Sequence, residues 1–190
     1  MPKALEKRRT LNRIGLVYST SYLLLGLIIK WYVWNDAKQY FSQNKVHVDR
    51  MMVTPMPFTC VYWYVLAENK NEFIVAHRSI LSTGITDSAI HINRGPLRLD
   101  GLKWKGNNET KNLYRVTNDY CILQEEGTTL VAYDLRFGLL SKITRERINT
   151  PLMGYEFTVK NGEIVKTEMH RNVQWNKVDF PYYWGKVIGK

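Results

Sequence analysis

The hydrophobic pattern opens with one long apolar block, Ile14–Trp34, reading IGLVYSTSYLLLGLIIKWYVW between polar flanks. As a helix it spans about 31 Å, close to the hydrocarbon thickness of a bilayer. Ser19, Thr20 and Ser21 interrupt it, but hydroxyls of this kind bond back to helix carbonyls and are tolerated in lipid. Tyr22, Leu23, Leu24 and Leu25 form its apolar centre. Lys30 stands near one end, where its stem can reach the headgroups, and Trp31, Tyr32 and Trp34 beside it make an interfacial aromatic belt. These residues are expected to anchor the chain in a membrane. A buried helix of a water-soluble globule is the competing reading, because the uninterrupted run YLLLGLII is short. A signal peptide does not fit, since aromatic residues rather than a small-x-small cleavage site follow Ile29.

Asn35–Lys45 is polar, contains no proline or glycine, and can continue the helix into water. From Val46 the period shortens to short β-branched and aromatic runs separated by turn residues. Thr59–Ala67 pairs naturally with Glu72–Ile80 across Asn69–Asn71. Asn118–Glu126 and Thr128–Arg136 flank Gly127, and Tyr155–Lys160 and Glu163–Glu168 flank Asn161-Gly162, a type I′ hairpin signature. Pro55 and Pro57 are expected to end the leader, hold the chain extended and mark the entry to the strand Thr59–Ala67. Gly101–Asn112 reads as a loop or a short helix. The fold class is therefore α+β: an N-terminal hydrophobic, transmembrane helix followed by an antiparallel β-sheet domain built from hairpins, with one face covered. Residues 1–45 hold the basic terminus, the span and the polar leader, and residues 46–190 hold the sheet-rich soluble domain.

Composition changes this picture little. With 190 residues, 45% apolar and 23% charged, the chain supports one core plus an appended element and is not disordered. A net charge of +10 would attract nucleic acid, an anionic lipid surface or an acidic substrate. Only Lys7–Arg9 forms a basic run, and no nucleic-acid motif surrounds it, so nucleic acid is set aside as a partner. Lys7, Arg8, Arg9 and Arg13 favour a cytoplasmic amino terminus and an external β domain, although Lys30, Lys38, Lys45 and Arg50 lie on the far side. Cys60 and Cys121 lie in apolar runs, as buried small side chains or as a pair if their strands are neighbours.

Candidate chemistry is sparse. The four histidines form no H-E-x-x-H motif and the cysteines no C-x-x-C pair. His47 and Asp49 are the weak metal candidates, two ligand types at strand spacing. Ser79 and Ser82 have no base at motif spacing, and no G-x-S-x-G elbow exists. Asp134 and Arg136 share a strand face, either as an ion pair anchoring the strand end or as a grip on a ligand carboxylate or phosphate. Anchoring is the favoured role, because a buried pair often serves geometry.

Two stretches carry a resemblance: VTPMPFTCVYW at Val53–Trp63, and Asp134-Leu135-Arg136-Phe137-Gly138 followed by the aromatic strand Tyr155–Val159. Placed after a hydrophobic helix containing Tyr22-Leu23, this succession resembles the carboxy-terminal part of the bacterial inner-membrane metal-dependent hydrolase family of LexA-regulated type. The resemblance covers about Ile14 to Val159. It implies a location in the inner membrane, a divalent metal, and a partner membrane domain carrying the metal site in an H-R-G-x-T-H-S-like stretch. This chain has no such stretch: Arg94-Gly95 follows Asn93 and precedes Pro96, so no metal ligand is carried over. The expected function is the membrane-anchored C-terminal domain of such a hydrolase, with the active site elsewhere. The alternative is a non-catalytic, membrane-tethered β-sheet module that binds lipid or a partner protein through Trp104, Trp175, Tyr182, Tyr183 and Trp184.

Overall fold

The apolar block and the polar leader form one continuous element. In the computed structural model, which describes residues 2–85, 88–95, 108–126, 129–144, 149–160 and 163–189, helix α1 runs from Pro2 to Gln43. It is long and apolar enough to cross a membrane, and none of its most apolar window is buried. The reading of that window as the covered core helix of a globule is therefore set aside. From Ile29 onward the helix changes role. Ile29, Val33, Ala37 and Phe41 recur every four residues and so form one stripe. Val33 and Ala37 are wholly buried and Phe41 nearly so.

That stripe lies on the first of two antiparallel sheets. Strands β1 (Arg50–Pro55), β2 (Tyr62–Glu68), β3 (Glu72–Ser79) and β4 (Ile90–Asn93) pair in sequence order. Period two divides their side chains. Val53, Trp63, Val65, Ala67, Ile74 and Ala76 face α1. Tyr62, Tyr64, Leu66, Phe73 and Val75 face the second sheet, made of β5 (Cys121–Glu126), β6 (Thr129–Leu139), β7 (Pro151–Lys160) and β8 (Glu163–Arg171). Its inner face presents Ile122, Val131, Tyr133 and Leu135. Its outer face gathers Cys121, Leu123, Leu130, Ala132 and Phe157 under Leu113 of helix α2 (Asn108–Thr117). The order of layers is helix, sheet, sheet, helix.

This arrangement confirms the class and the hairpins and corrects three details. The expectation of a single covered face fails: every residue of β2 is buried, because α1 covers one side of its sheet and the second sheet covers the other. Pro55 and Pro57 do not mark the entry from the leader. A strand already precedes them, with Pro55 opposite Trp63, and proline is tolerated there because β1 is an edge strand. A third helix, α3 (Phe180–Val187), closes the chain where no element was expected. Its start has the required chemistry: Tyr182 N donates to the Asp179 carboxylate at 2.9 Å, and Pro181 occupies the first turn. Asn161-Gly162, Gly127, Trp104 and the first part of Gly101–Asn112 lie outside the described residues. The strands on either side of Asn161-Gly162 do pair, Lys160 opposite Glu163.

Ion pairs and one phenol lock the layers. Arg50 grips Glu68 through Nε at 2.6 Å and Nη2 at 2.9 Å, while Arg94 reaches both Glu68 and Asp119. Arg50 lies over the Tyr120 ring and Arg94 over Phe73, so the charges are covered by aromatic faces. Tyr64 Oη donates to Leu135 O at 2.7 Å across the two sheets. Helix α2 ends at Asn118 and Asp119, both left-handed (φ 51° and 62°), residue types that accept this conformation at low cost.

Candidate functional site

The polar candidates resolve into structural roles or isolated pairs. Asp134 is fully buried and is held entirely by its neighbour: Arg136 donates from its backbone N and Nε to Oδ1, each at 3.0 Å, and from Nη2 to Oδ2 at 2.6 Å. The same guanidinium donates to Val116 O at the end of α2. The carboxylate raises the Arg136 pKa through these hydrogen bonds, against the opposing effect of burial. The two residues meet as expected, and the fork that could grip a ligand is occupied from within. They begin an irregular stretch of β6: pairing with β7 shifts register between Asp134 and Leu139, and Gly138 supplies a φ of 94°. The DLRFG sequence is thus a bulge that turns Phe137 outward.

His47 and Asp49 also meet, Nε2 to Oδ1 at 3.0 Å. They precede β1 rather than lying in a strand, on the rim of a cleft of about 480 Å³ between the end of α1 and Met51. Both are well exposed. Among the described residues, no three His, Cys, Asp or Glu side chains come together in a group able to hold a metal. The divalent metal implied by the resemblance therefore does not fit the described donor set. Ser79 and Ser82 serve the backbone: Ser79 Oγ donates to Val187 O at 2.6 Å and Ser82 Oγ to Ser79 O at 2.9 Å.

The two cysteines are free thiols, Cys60 in the β1–β2 turn and Cys121 in β5 of the second sheet. Burial pushes the Cys121 thiol up to about 12, a weak hydrogen bond from Thr117 pulling the other way. Burial likewise raises the Tyr183 phenol to about 12. Both groups are held neutral, so their contribution to stability is complete below their unfolded pKa values, from about 8.5 for a thiol and about 10 for a phenol. It declines as pH climbs through about 12. Two results are expected: denaturant midpoints that fall on alkaline titration, and a thiol reagent at pH 8 that modifies half-buried Cys60 in the native protein but reaches Cys121 only after unfolding.

One apolar cleft stands out at the end of the domain where the β1–β2 turn, the β6 bulge and α3 converge. Its volume is about 210 Å³, enough for an aliphatic or aromatic group and below the usual size of a drug-like ligand site. Met56, Pro57 and Phe58 line one side, Phe137, Leu152 and Met153 another, and Phe180 and Tyr183 a third. Among the described residues, Tyr183 is the only lining side chain with a polar group, and its hydroxyl donates to Pro57 O at 2.5 Å. Two loop features shape the wall. Phe58 has a left-handed backbone (φ 62°) and is 78% exposed, an uncommon combination for a bulky residue. Trp63 Nε1 donates to Cys60 O at 2.9 Å and Ile80 N to Val61 O at 2.9 Å, fixing the rest of the turn.

TPMPF and DLRFG therefore converge on one cavity, although about eighty residues separate them. Nothing in the local sequence announced this, because the cleft exists only once β6 bulges and α3 folds back. Of the aromatic residues proposed for an interface, Tyr183 lines the cleft and Trp184 stands beside it, half exposed. Tyr182 turns its ring toward Lys186. Trp104 and the Trp175 side chain lie outside what the structure describes. Along α1, Tyr22, Leu23, Leu24, Leu25, Lys30 and Trp31 are all exposed, whereas Trp34 is half covered by the first sheet. No family model, curated protein or solved structure matches the chain.

Proposed function

We propose that this protein is a single-span, membrane-tethered β domain of the bacterial inner membrane that works by binding rather than by catalysis. The observation that carries the reading is the apolar cleft, whose described lining is hydrocarbon surface apart from the Tyr183 hydroxyl, itself bonded to Pro57 O. The exposed apolar half of α1 supports the tether. The basic residues before the span favour a cytoplasmic amino terminus and an external β domain.

A second reading is favoured by one observation. The two motifs that resemble the membrane hydrolases both line this cleft. In that reading the cleft seats the β domain on a separate membrane domain that carries the metal site. A photo-reactive residue at Phe137, half exposed at the cleft wall, separates the two in intact membranes. A phospholipid adduct supports the binding module, a discrete protein adduct supports the docking subunit, and absence of any adduct contradicts a binding role for the cleft.

A further inference from the structure

Phe58, Leu81, Phe180, Trp184 and Ile188 are large apolar side chains exposed by 45% to 78%. They come from three separate segments: the β1–β2 turn, the loop after β3, and α3 with the residue beyond it. Specific contacts hold these segments at one end of the domain. Tyr183 Oη donates to Pro57 O, and Ser79 Oγ donates to Val187 O. Gly189, with φ 80°, lies so close to Ser82 that an added Cβ would stand 2.9 Å from its Cβ. The rim is therefore one built surface rather than scattered exposure.

The same end receives α1. Arg78, at the end of β3, pairs its Nε with Asp36 at 2.7 Å and donates from Nη2 to Tyr32 Oη at 3.2 Å. Its other amino group donates to Ser82 O at 2.6 Å. Tyr32 and the loop carrying Leu81 are thereby fixed at one level. Only a few residues earlier, Leu27 and Ile28 are bare while Ile29 already touches the sheet. No linker intervenes, because α1 is a single helix through this point. A domain carried on such a joint cannot drift from the bilayer as it would on a flexible tether.

We propose that this rim sits in the headgroup–acyl boundary of the bilayer that α1 spans, with the cleft opening toward lipid. The inference rests on the membrane-tethered reading and names its ligand: the surface of that same membrane. Continuity with the span is the first argument, since Arg78 ties the Leu81 loop of the rim to Tyr32, which the sequence sets with Trp31 at the interface. Composition is the second, as Phe, Trp, Leu and Ile beside Lys30 and Lys186 match an interfacial surface facing anionic headgroups. The outward Phe58 ring is the third. Its left-handed backbone presents a large apolar group to water in the isolated chain, whereas at the boundary it enters an apolar layer.

The test uses the full chain in phosphatidylethanolamine–phosphatidylglycerol vesicles containing acyl-brominated lipid. On a Cys60→Ser background, an environment-sensitive fluorophore is attached at Phe58→Cys, Trp184→Cys, Leu16→Cys in the span, or Val165→Cys near the opposite end of the second sheet. Leu81→Cys replaces Phe58→Cys if that variant does not fold. The expected result is bromine quenching at Leu16, Phe58 and Trp184 and none at Val165. Quenching at Leu16 alone overturns the seated rim and leaves the tether intact. No quenching at Leu16 overturns the tether and the inference together. Equal quenching at Val165 contradicts a specific rim.

Discussion

Replacing Asp134 by alanine is expected to lower the stability of the protein by about 3–5 kcal/mol, because it removes one partner of a buried ion pair and strands the other. Asp134 is fully buried, and its carboxylate receives three donors from Arg136, which also holds the end of α2 through Val116 O. Losing the carboxylate releases the guanidinium, the bulge at Gly138 and the last turn of α2 together. For a chain of this length the change corresponds to a fall in Tm of roughly 6–20 °C. Thermal unfolding of the detergent-solubilised chain reads it directly. Asp134→Asn keeps the shape and some hydrogen bonds, so its loss is expected to be smaller. A ligand-gripping pair would behave otherwise: alanine would leave Tm within about 1–2 °C and abolish binding.

The second large effect belongs to the joint between α1 and the first sheet. Ala37→Asp is expected to cost about 4 kcal/mol or more, since it buries an unpaired charge and overfills a contact at once. Ala37 is wholly buried in the apolar contact that α1 makes with Val53, Trp63, Val65 and Ile74, and the nearby buried Arg78 is already paired with Asp36. The neighbouring exposed change Gln39→Asp should remain within about 0.5 kcal/mol of the parent. Limited proteolysis distinguishes a local from a global effect. Cleavage confined to residues 35–49 would mean that the helix has lifted from an intact sandwich, whereas general digestion would mean that α1 is part of its core.

Much of this fold is written in local pattern. The three hairpins follow from β-branched runs around turn residues, whereas the run VYWYVLA, expected in a sheet with one covered face, is covered on both. The stripe Ile29, Val33, Ala37 and Phe41 has helical spacing too, but it begins inside a block that is apolar all round, so periodicity alone could not assign it to the sheet. β1 was hidden by Pro55 at its end and Pro57 just beyond it, since the meaning of a proline depends on whether a strand lies at an edge. α3 was hidden by its composition: FPYYWGKV contains proline, glycine and three aromatics, and only Asp179 and Pro181 signal its start. The cleft was legible least of all. It needs Phe58, Phe137, Leu152 and Tyr183, residues from four distant segments whose meeting depends on tertiary packing.

The anchoring of α1 supports the joint, the rim and the reading of the cleft alike, and alkaline extraction of native membranes measures it most directly. The protein is expected to remain in the sedimented membranes after carbonate washing. A Leu24→Arg, Leu25→Arg double variant should partition into the wash, because each central arginine costs about 2.5–3.5 kcal/mol in a span. Release of the unaltered chain by carbonate or by high salt alone would contradict the account.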